Sequence, residues 1–203
     1  MKKNKILKAL GLFGCAILLV AVSIAGTMAY MTSTATVENT FTVGKVAITM
    51  DEAKVDQYGV AADLTDRTDK NTYKLIPGHT YAKDPTIHVE KGSEVCYLFV
   101  KVVNGISAID GGSINAQLTA HGWKVLDGNV WYYTSTVDAR EATADVDVKV
   151  FDTFTINNDA DVSGYATVDN AANVVNVTAY AIQADGFADA AAAWAAAPAS
   201  FKA

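Results

Sequence analysis

Three histidines, His79, His88 and His121, and the cysteine Cys96 are the side chains of this chain best suited to catalysis or metal binding. Zinc hydrolysis needs imidazoles and carboxylates at close, regular spacing, as in a His-Glu-x-x-His helix. Here the histidines lie nine and thirty-three residues apart, and neither His79 nor His88 has a second histidine within four positions. They are expected to be ordinary surface histidines. A thiol nucleophile needs an electropositive, accessible setting. Cys96 instead sits in the most apolar run, "EVCYLFVKVV", where a protonated, inert core thiol is expected. Asp51, Glu52, Asp63, Asp66, Asp69 and the 157–161 stretch "NNDAD" are numerous enough for calcium but match no EF-hand spacing. The cofactor expectation is therefore none, with calcium or zinc as the alternatives. Nucleophile-elbow, phosphate-loop and dinucleotide patterns are absent. Trp123, Trp131, Tyr132 and Tyr133 crowd one short segment, where an exposed cluster would bind sugar. Within a sheet such residues more often fill the core and pair across strands, and that is the expectation here.

The elements that must hold these residues read as β nearly throughout. In "FTVGKVAITM", Val46, Ile48 and Met50 alternate after a break at Gly44. Residues 51–74 are polar, with little apolar periodicity, and are expected to form a long surface excursion. Pro77-Gly78 predicts a type II turn, and Asp84-Pro85 opens a strand with Ile87 and Val89 inward and Thr86, His88 and Glu90 toward water. Lys91-Gly92-Ser93 turns the chain into the run around Cys96, apolar on both sides and so expected to be central and covered on both faces. "WKVLDGNVWYY" predicts a hairpin about Asp127-Gly128-Asn129. Val146, Val148 and Val150 alternate with Asp145, Asp147 and Lys149, and "NVVNVTAYAIQ" is a long β-branched strand. Short strands divided by turn residues predict an antiparallel sandwich. A short C-terminal helix is expected over 186–197, with Phe187, Ala190, Ala191 and Trp194 on one face, acidic residues near its start and Pro198 at its end. Too short to persist alone, it should dock Phe187 and Trp194 on the sheets.

The N-terminus sets the compartment. Lys2, Lys3, Lys5 and Lys8 precede an apolar stretch that closes in Gly26-Thr27-Met28-Ala29. This is the layout of a secretory signal over 1–29, cleaved between Ala29 and Tyr30. An uncleaved anchor is the rival, because twenty uncharged residues can span a bilayer; lipidation at Cys15 is a third reading. Cleavage leaves a secreted domain, 30–203, of 174 residues with 12 basic and 22 acidic side chains, a net charge of about −10. Such a surface disfavours nucleic acid and anionic membrane as partners. The domain keeps one cysteine, so it folds on its core without internal disulfides.

Three stretches carry a family resemblance: "GTMAYMTSTATVENTFTVGKVAITMDE", "IPGHTYAKDPTIHVEKGSEVCYLFVKV" and "VTAYAIQADGF", with "VWYY" between the last two. Together they resemble the TasA/camelysin family of exported proteins, whose signals are handled by a SipW-type signal peptidase. The resemblance implies a jelly-roll β-sandwich that builds extracellular biofilm-matrix or cell-surface fibres, with a matrix anchor protein as a further partner. It also implies assembly by donor-strand exchange, and by position the donor strand is 30–37. Camelysin-type relatives are described as metalloendopeptidases, which makes a secreted or cell-surface protease the alternative function. No zinc motif in this sequence supports that activity, so an enzyme is not the leading expectation.

The donor segment suits the role on its own chemistry. It lacks charge, proline and glycine, and alternation sends Met31, Ser33, Ala35 and Val37 to one face and Tyr30, Thr32, Thr34 and Thr36 to the other. A sheet lacking one strand exposes backbone donors and acceptors, and a neighbour's strand satisfies them by β-augmentation. Donor and acceptor surfaces differ, so the contact repeats into an open, head-to-tail homopolymer. The competing readings are a frayed terminus, a strand paired within its own subunit, and a monomeric binding module that uses the Trp/Tyr hairpin.

Overall fold

The computed structural model describes residues 15–18, 44–165 and 174–202. The chain divides into two units, Met1–Thr42 and Val43–Ala203. In the first, residues 15–18 form an exposed helical stretch; the remainder of the expected signal, its cleavage point at Ala29 and Tyr30, and the donor strand 30–37 lie outside the described residues. No helix among the described residues is long and apolar enough to cross a membrane.

The second unit is mostly antiparallel β-sheet. Its strands are β1 (Ile48–Ala53), β2 (Arg67–Thr68), β3 (Thr80–Ala82), β4 (Thr86–Val89), β5 (Cys96–Asn104), β6 (Trp123–Asp127), β7 (Val130–Tyr133), β8 (Val146–Lys149), β9 (Thr153–Thr155) and β10 (Val175–Gln183). They form one four-stranded sheet in the order β2-β1-β4-β8, a second in the order β10-β5-β7-β6, and a β3-β9 pair. One face of each four-stranded sheet meets in a shared core. The first sheet supplies Ile87, Val89 and Val148; the second supplies Cys96, Leu98, Val100, Val102 and Trp131. Period-2 alternation explains this, because inward residues on adjacent strands come into register, as in Met50↔Ile87↔Val148.

Strand β5 is central and covered on both faces, as its two-sided apolar pattern predicts. Cys96, Leu98, Val100 and Val102 face the shared core, while Phe99 enters a second cluster with Val130, Ala190, Ala193 and Trp194. That second cluster is closed by α2 (Ala190–Ala195) and α3 (Ala199–Lys202). The expected helix over 186–197 is shorter than its periodicity suggests. Asp189 takes extended backbone and its carboxylate accepts from Ala192 N at 2.8 Å, which starts the helix after Phe187. Pro198 ends α2 but opens the further short helix α3. Phe187 and Trp194 nonetheless dock as expected, Trp194 lying 5.0 Å from Phe99 and 5.6 Å from Tyr180 between ring centres.

The hairpin over Trp123–Tyr133 forms with Gly128-Asn129 as its loop. The turn at Pro77-Gly78 also forms: His79 N donates to Ile76 O at 3.1 Å, and Gly78 takes φ +75°, which L side chains avoid. Two expectations change. Helix α1 (Ser113–Ala120), which buries Ile114 and Leu118, was not expected from the sequence. Residues 51–74 are not a loose excursion either. Residues 51–53 complete β1, Arg67-Thr68 pair with it as β2, and the loop between them is pinned at Lys74 N→Gln57 O (2.8 Å) and by the His79 ring on Tyr58 O (2.9 Å). Charge pairing underlies the change: Asp51 and Glu52 acquire cationic partners when the segment folds back.

Candidate functional site

Each histidine is built into a separate local contact. Besides donating to Tyr58 O, the His79 ring packs edge-on against Tyr81 at 4.5 Å. His121 Nε2 lies 2.7 Å from Asp152 Oδ2, and Lys149 Nζ reaches the other Asp152 oxygen at 2.7 Å. His88 stands on the outer face of β4 between two carboxylates. Its Nδ1 is 2.7 Å from Asp147 Oδ1 on β8, and its Nε2 is 3.1 Å from Asp51 Oδ1 on β1 without the alignment of a hydrogen bond. No group of three His, Cys, Asp or Glu suited to a metal ion occurs among the described residues. The carboxylate stretches singled out for calcium form no such group there either.

The outer face of the first sheet is therefore a charged layer, not the wet face predicted for Thr86, His88 and Glu90. Thr86 is buried. Arg67 is the hub: Nε donates to Asp51 Oδ1 at 2.7 Å and Nη1 to Asp84 Oδ2 at 2.9 Å, while Asp84 Oδ1 accepts from Ala53 N at 2.7 Å. Burial works to raise the Asp51 carboxyl, but the adjacent His88 imidazole and the bond from Arg67 outweigh it and hold it below the usual carboxylate range. Burial likewise works to lower His88, but its bond to Asp147 and the nearby charge of Asp51 outweigh that, so the imidazole is held above its ordinary value. This layer couples β2, β1, β4 and β8 electrostatically. Its carboxylates and imidazole are paired with one another, which is the arrangement of a scaffold more than of an open catalytic cleft.

Cys96 is completely buried, and burial pushes its thiol up to about 11, which keeps it protonated. The hairpin aromatics are core residues. Trp123 is 1% exposed with its indole donating to Lys149 O at 3.0 Å, Trp131 is 7% exposed, and Tyr132 and Tyr133 are half-buried. The hairpin thus presents no exposed indole for a sugar.

Among the described residues each four-stranded sheet ends in two edge strands, and the edges differ in kind. In the first sheet, β2 is only two residues long and β8 alternates charge, with Asp147 and Lys149 outward. In the second sheet, β6 carries Lys124 and Asp127 and a register break between Val125 and Asp127. Short length, charge and bulging are the devices by which proteins blunt edges. Strand β10 uses none of them. It runs nine residues, "VNVTAYAIQ", without charge or proline, and pairs with β5 over its whole length from Val175↔Asn104 to Gln183↔Cys96. Among the described residues no strand is hydrogen-bonded to its other edge. Val175, Val177, Ala179 and Ala181 anchor it to the shared core, and Tyr180 and Ile182 anchor it to the C-terminal helices.

The sequence named 30–37 as the assembly segment, and those residues lie outside the described ones. The edge of β10, which has no hydrogen-bonded strand among the described residues, was not anticipated from the sequence. Its signal was present as an uncharged, β-branched run, but sequence does not reveal which strand ends a sheet. No family model, curated protein or solved structure matches the chain.

Proposed function

We propose that this is an exported structural protein of the TasA/camelysin type: a jelly-roll β-sandwich subunit that joins copies of itself head-to-tail into fibres outside the cell. In this reading a SipW-type peptidase removes residues 1–29, and residues 30–37 of one subunit add as a strand to a sheet of the next. The uncharged nine-residue β10, whose outer edge has no hydrogen-bonded strand among the described residues, is the observation that supports it most directly. Nine residues of strand exceed the eight of the donor segment. An added strand would supply backbone hydrogen bonds along this edge, and Asn176 and Thr178 line the outer face with small polar groups matching a threonine-rich partner.

Negative-stain electron microscopy of the purified protein, with and without residues 30–37, tests the reading. Filaments that vanish on deletion, and also in an Asn176→Lys/Thr178→Lys variant that keeps its circular dichroism spectrum, are the expected result. Monomers under all conditions overturn it. Filaments untouched by both changes refute the donor-strand mechanism.

A further inference from the structure

Behind the charged layer lies a set of side chains that neither assembly nor the His88 network uses. Glu52, on β1, is 6% exposed at its side chain and is bridged on both oxygens. Its Oε2 meets Lys83 Nζ at 2.5 Å, with Lys83 itself only 11% exposed. Its Oε1 accepts from Asn71 Nδ2 at 2.9 Å. Asn71 is fixed further by Nδ2→Ala53 O at 2.8 Å and by Val55 N, which donates to Asn71 Oδ1 at 3.0 Å. Lys83 is fixed by its backbone, whose N–H donates to Asp152 O at 3.0 Å.

An aromatic wall closes this group. Tyr73, Tyr81 and Phe154 pack together, with ring centres 4.9–5.6 Å apart, and the Tyr73 hydroxyl donates to Ala82 O at 3.0 Å. Burial first, and then the Glu52 charge, push the Tyr73 phenol well above its ordinary value. A lysine amine and a half-buried carboxamide, both touched by one buried carboxylate, constitute the reactants and the proton carrier for amide exchange between side chains.

We propose that Lys83 and Asn71 become joined by an intramolecular isopeptide bond, with Glu52 as the proton carrier. The Lys83 ammonium gives one proton to Glu52, leaving a neutral amine. The nitrogen lone pair attacks Asn71 Cγ; the new C–N bond forms as the carbonyl electron pair moves onto Oδ1, toward the Val55 N–H. Glu52 hands its proton to Nδ2 and takes one from the attacking nitrogen. The Cγ–Nδ2 bond then breaks, the carbonyl re-forms, and ammonia leaves; it carries off the proton remaining on Glu52 as ammonium. One ammonium side chain and one carboxamide thus yield one secondary amide and one ammonium ion, and no oxidant or co-reactant is needed. The two nitrogens start on opposite oxygens of one carboxylate, so the flexible lysine stem need only swing its tip from Oε2 to Cγ while Asn71 stays held. The bond would clamp the segment that follows β2 to the β3–β4 junction.

Intact-mass measurement on the purified protein, referenced to its sequenced N-terminus, decides the matter together with peptide mapping. The expected result is a mass lower by one ammonia, with a branched peptide joining the segments around Asn71 and Lys83, and a return to the full mass in Glu52→Gln and in Lys83→Arg. A wild-type mass equal to that of the sequence, with the two peptides recovered separately, overturns the proposal whether or not the variants fold. A deficit that maps instead to succinimide at Asn104-Gly105, removable by mild base, also overturns it. A branched peptide that persists in Glu52→Gln refutes the role given to Glu52.

Discussion

Replacing Trp194 by alanine tests whether the C-terminal helices are part of the fold or an appendage. Trp194 is 8% exposed and bridges Phe99 on β5 to Tyr180 on β10. Trp→Ala in a core costs about 3–5 kcal/mol through lost transfer free energy and the space left behind. Here the loss has a ceiling, because α2 is six residues and does not survive undocked. Once its anchor goes, residues 190–202 detach, and further damage stops at the exposed faces of Phe99 and Tyr180. The lower end of the range, about 3 kcal/mol, is therefore expected, which for a domain of this size lowers Tm by about 6–12 °C. Thermal unfolding followed by far-UV circular dichroism reads the shift. Amide hydrogen exchange read in parallel should show protection lost over 190–202 first and over β10 next. A Tm fall of under about 2 °C, with the amides of 190–202 still protected, refutes the reasoning that the second cluster rests on this ring.

The charged layer has a pH signature. His88 is held above its ordinary value, so its contribution is fully present below about pH 6.5 and is lost as pH rises through the raised folded value. Asp51 is held low, so its contribution is present above about pH 4 and is lost below. The stability gap between wild type and His88→Gln should therefore be widest, at about 1 kcal/mol, between these limits, and close toward alkaline pH. A gap that stays flat in urea denaturation across that range counts against the network. Gln117, on α1, acts as a substitute strand: Oε1 accepts from Asp152 N and Thr153 N at 3.0 Å each, and Nε2 donates to Thr153 O at 2.8 Å. Gln117→Leu orphans these groups and should cost about 3 kcal/mol in urea denaturation; a loss under about 1 kcal/mol would show that water replaces the amide.

The parts of the fold legible in the sequence are those whose signal is local. β5 announces itself by an apolar run and β10 by a long stretch rich in β-branched residues, the hairpin by Asp127-Gly128-Asn129, and the inward pair Ile87 and Val89 by alternation. The parts that were not legible depend on partners distant in the chain. Asp51 and Glu52 look like surface carboxylates until Arg67 and Lys83, 16 and 31 residues away, close on them. Helix α1 buries only Ile114 and Leu118, too few apolar positions to mark a helical period within "SINAQLTA". The same limit governs the sites. That 30–37 is uncharged and β-prone is a local property, whereas the openness of β10 is a property of strand order. The Lys83–Glu52–Asn71 group draws on three separate segments, and no spacing rule in one dimension finds it.

The distribution of edges bears on the shape of any assembly. A subunit with several bare edges would gather partners from several sides and give branched, disordered aggregates. Here β2 is short, β8 is charged and β6 is charged and bulged, so only β10 among the four-stranded sheets' described edges invites a ladder. In the proposed assembly, one acceptor edge and one donor segment per chain would restrict each subunit to two neighbours, and a heterologous contact with that valency extends in one dimension without branching. The acceptor must also bear load. β10 meets that need by its position: it is bonded to β5 along all nine residues, with the shared core on one face and the helices held by Trp194 on the other. Removing Trp194 should thus loosen β10 before any other strand of the second sheet, so filaments should fail at temperatures where the shared core is still folded. Filaments of Trp194→Ala that survive to the unfolding temperature of the core would show that the join is made elsewhere.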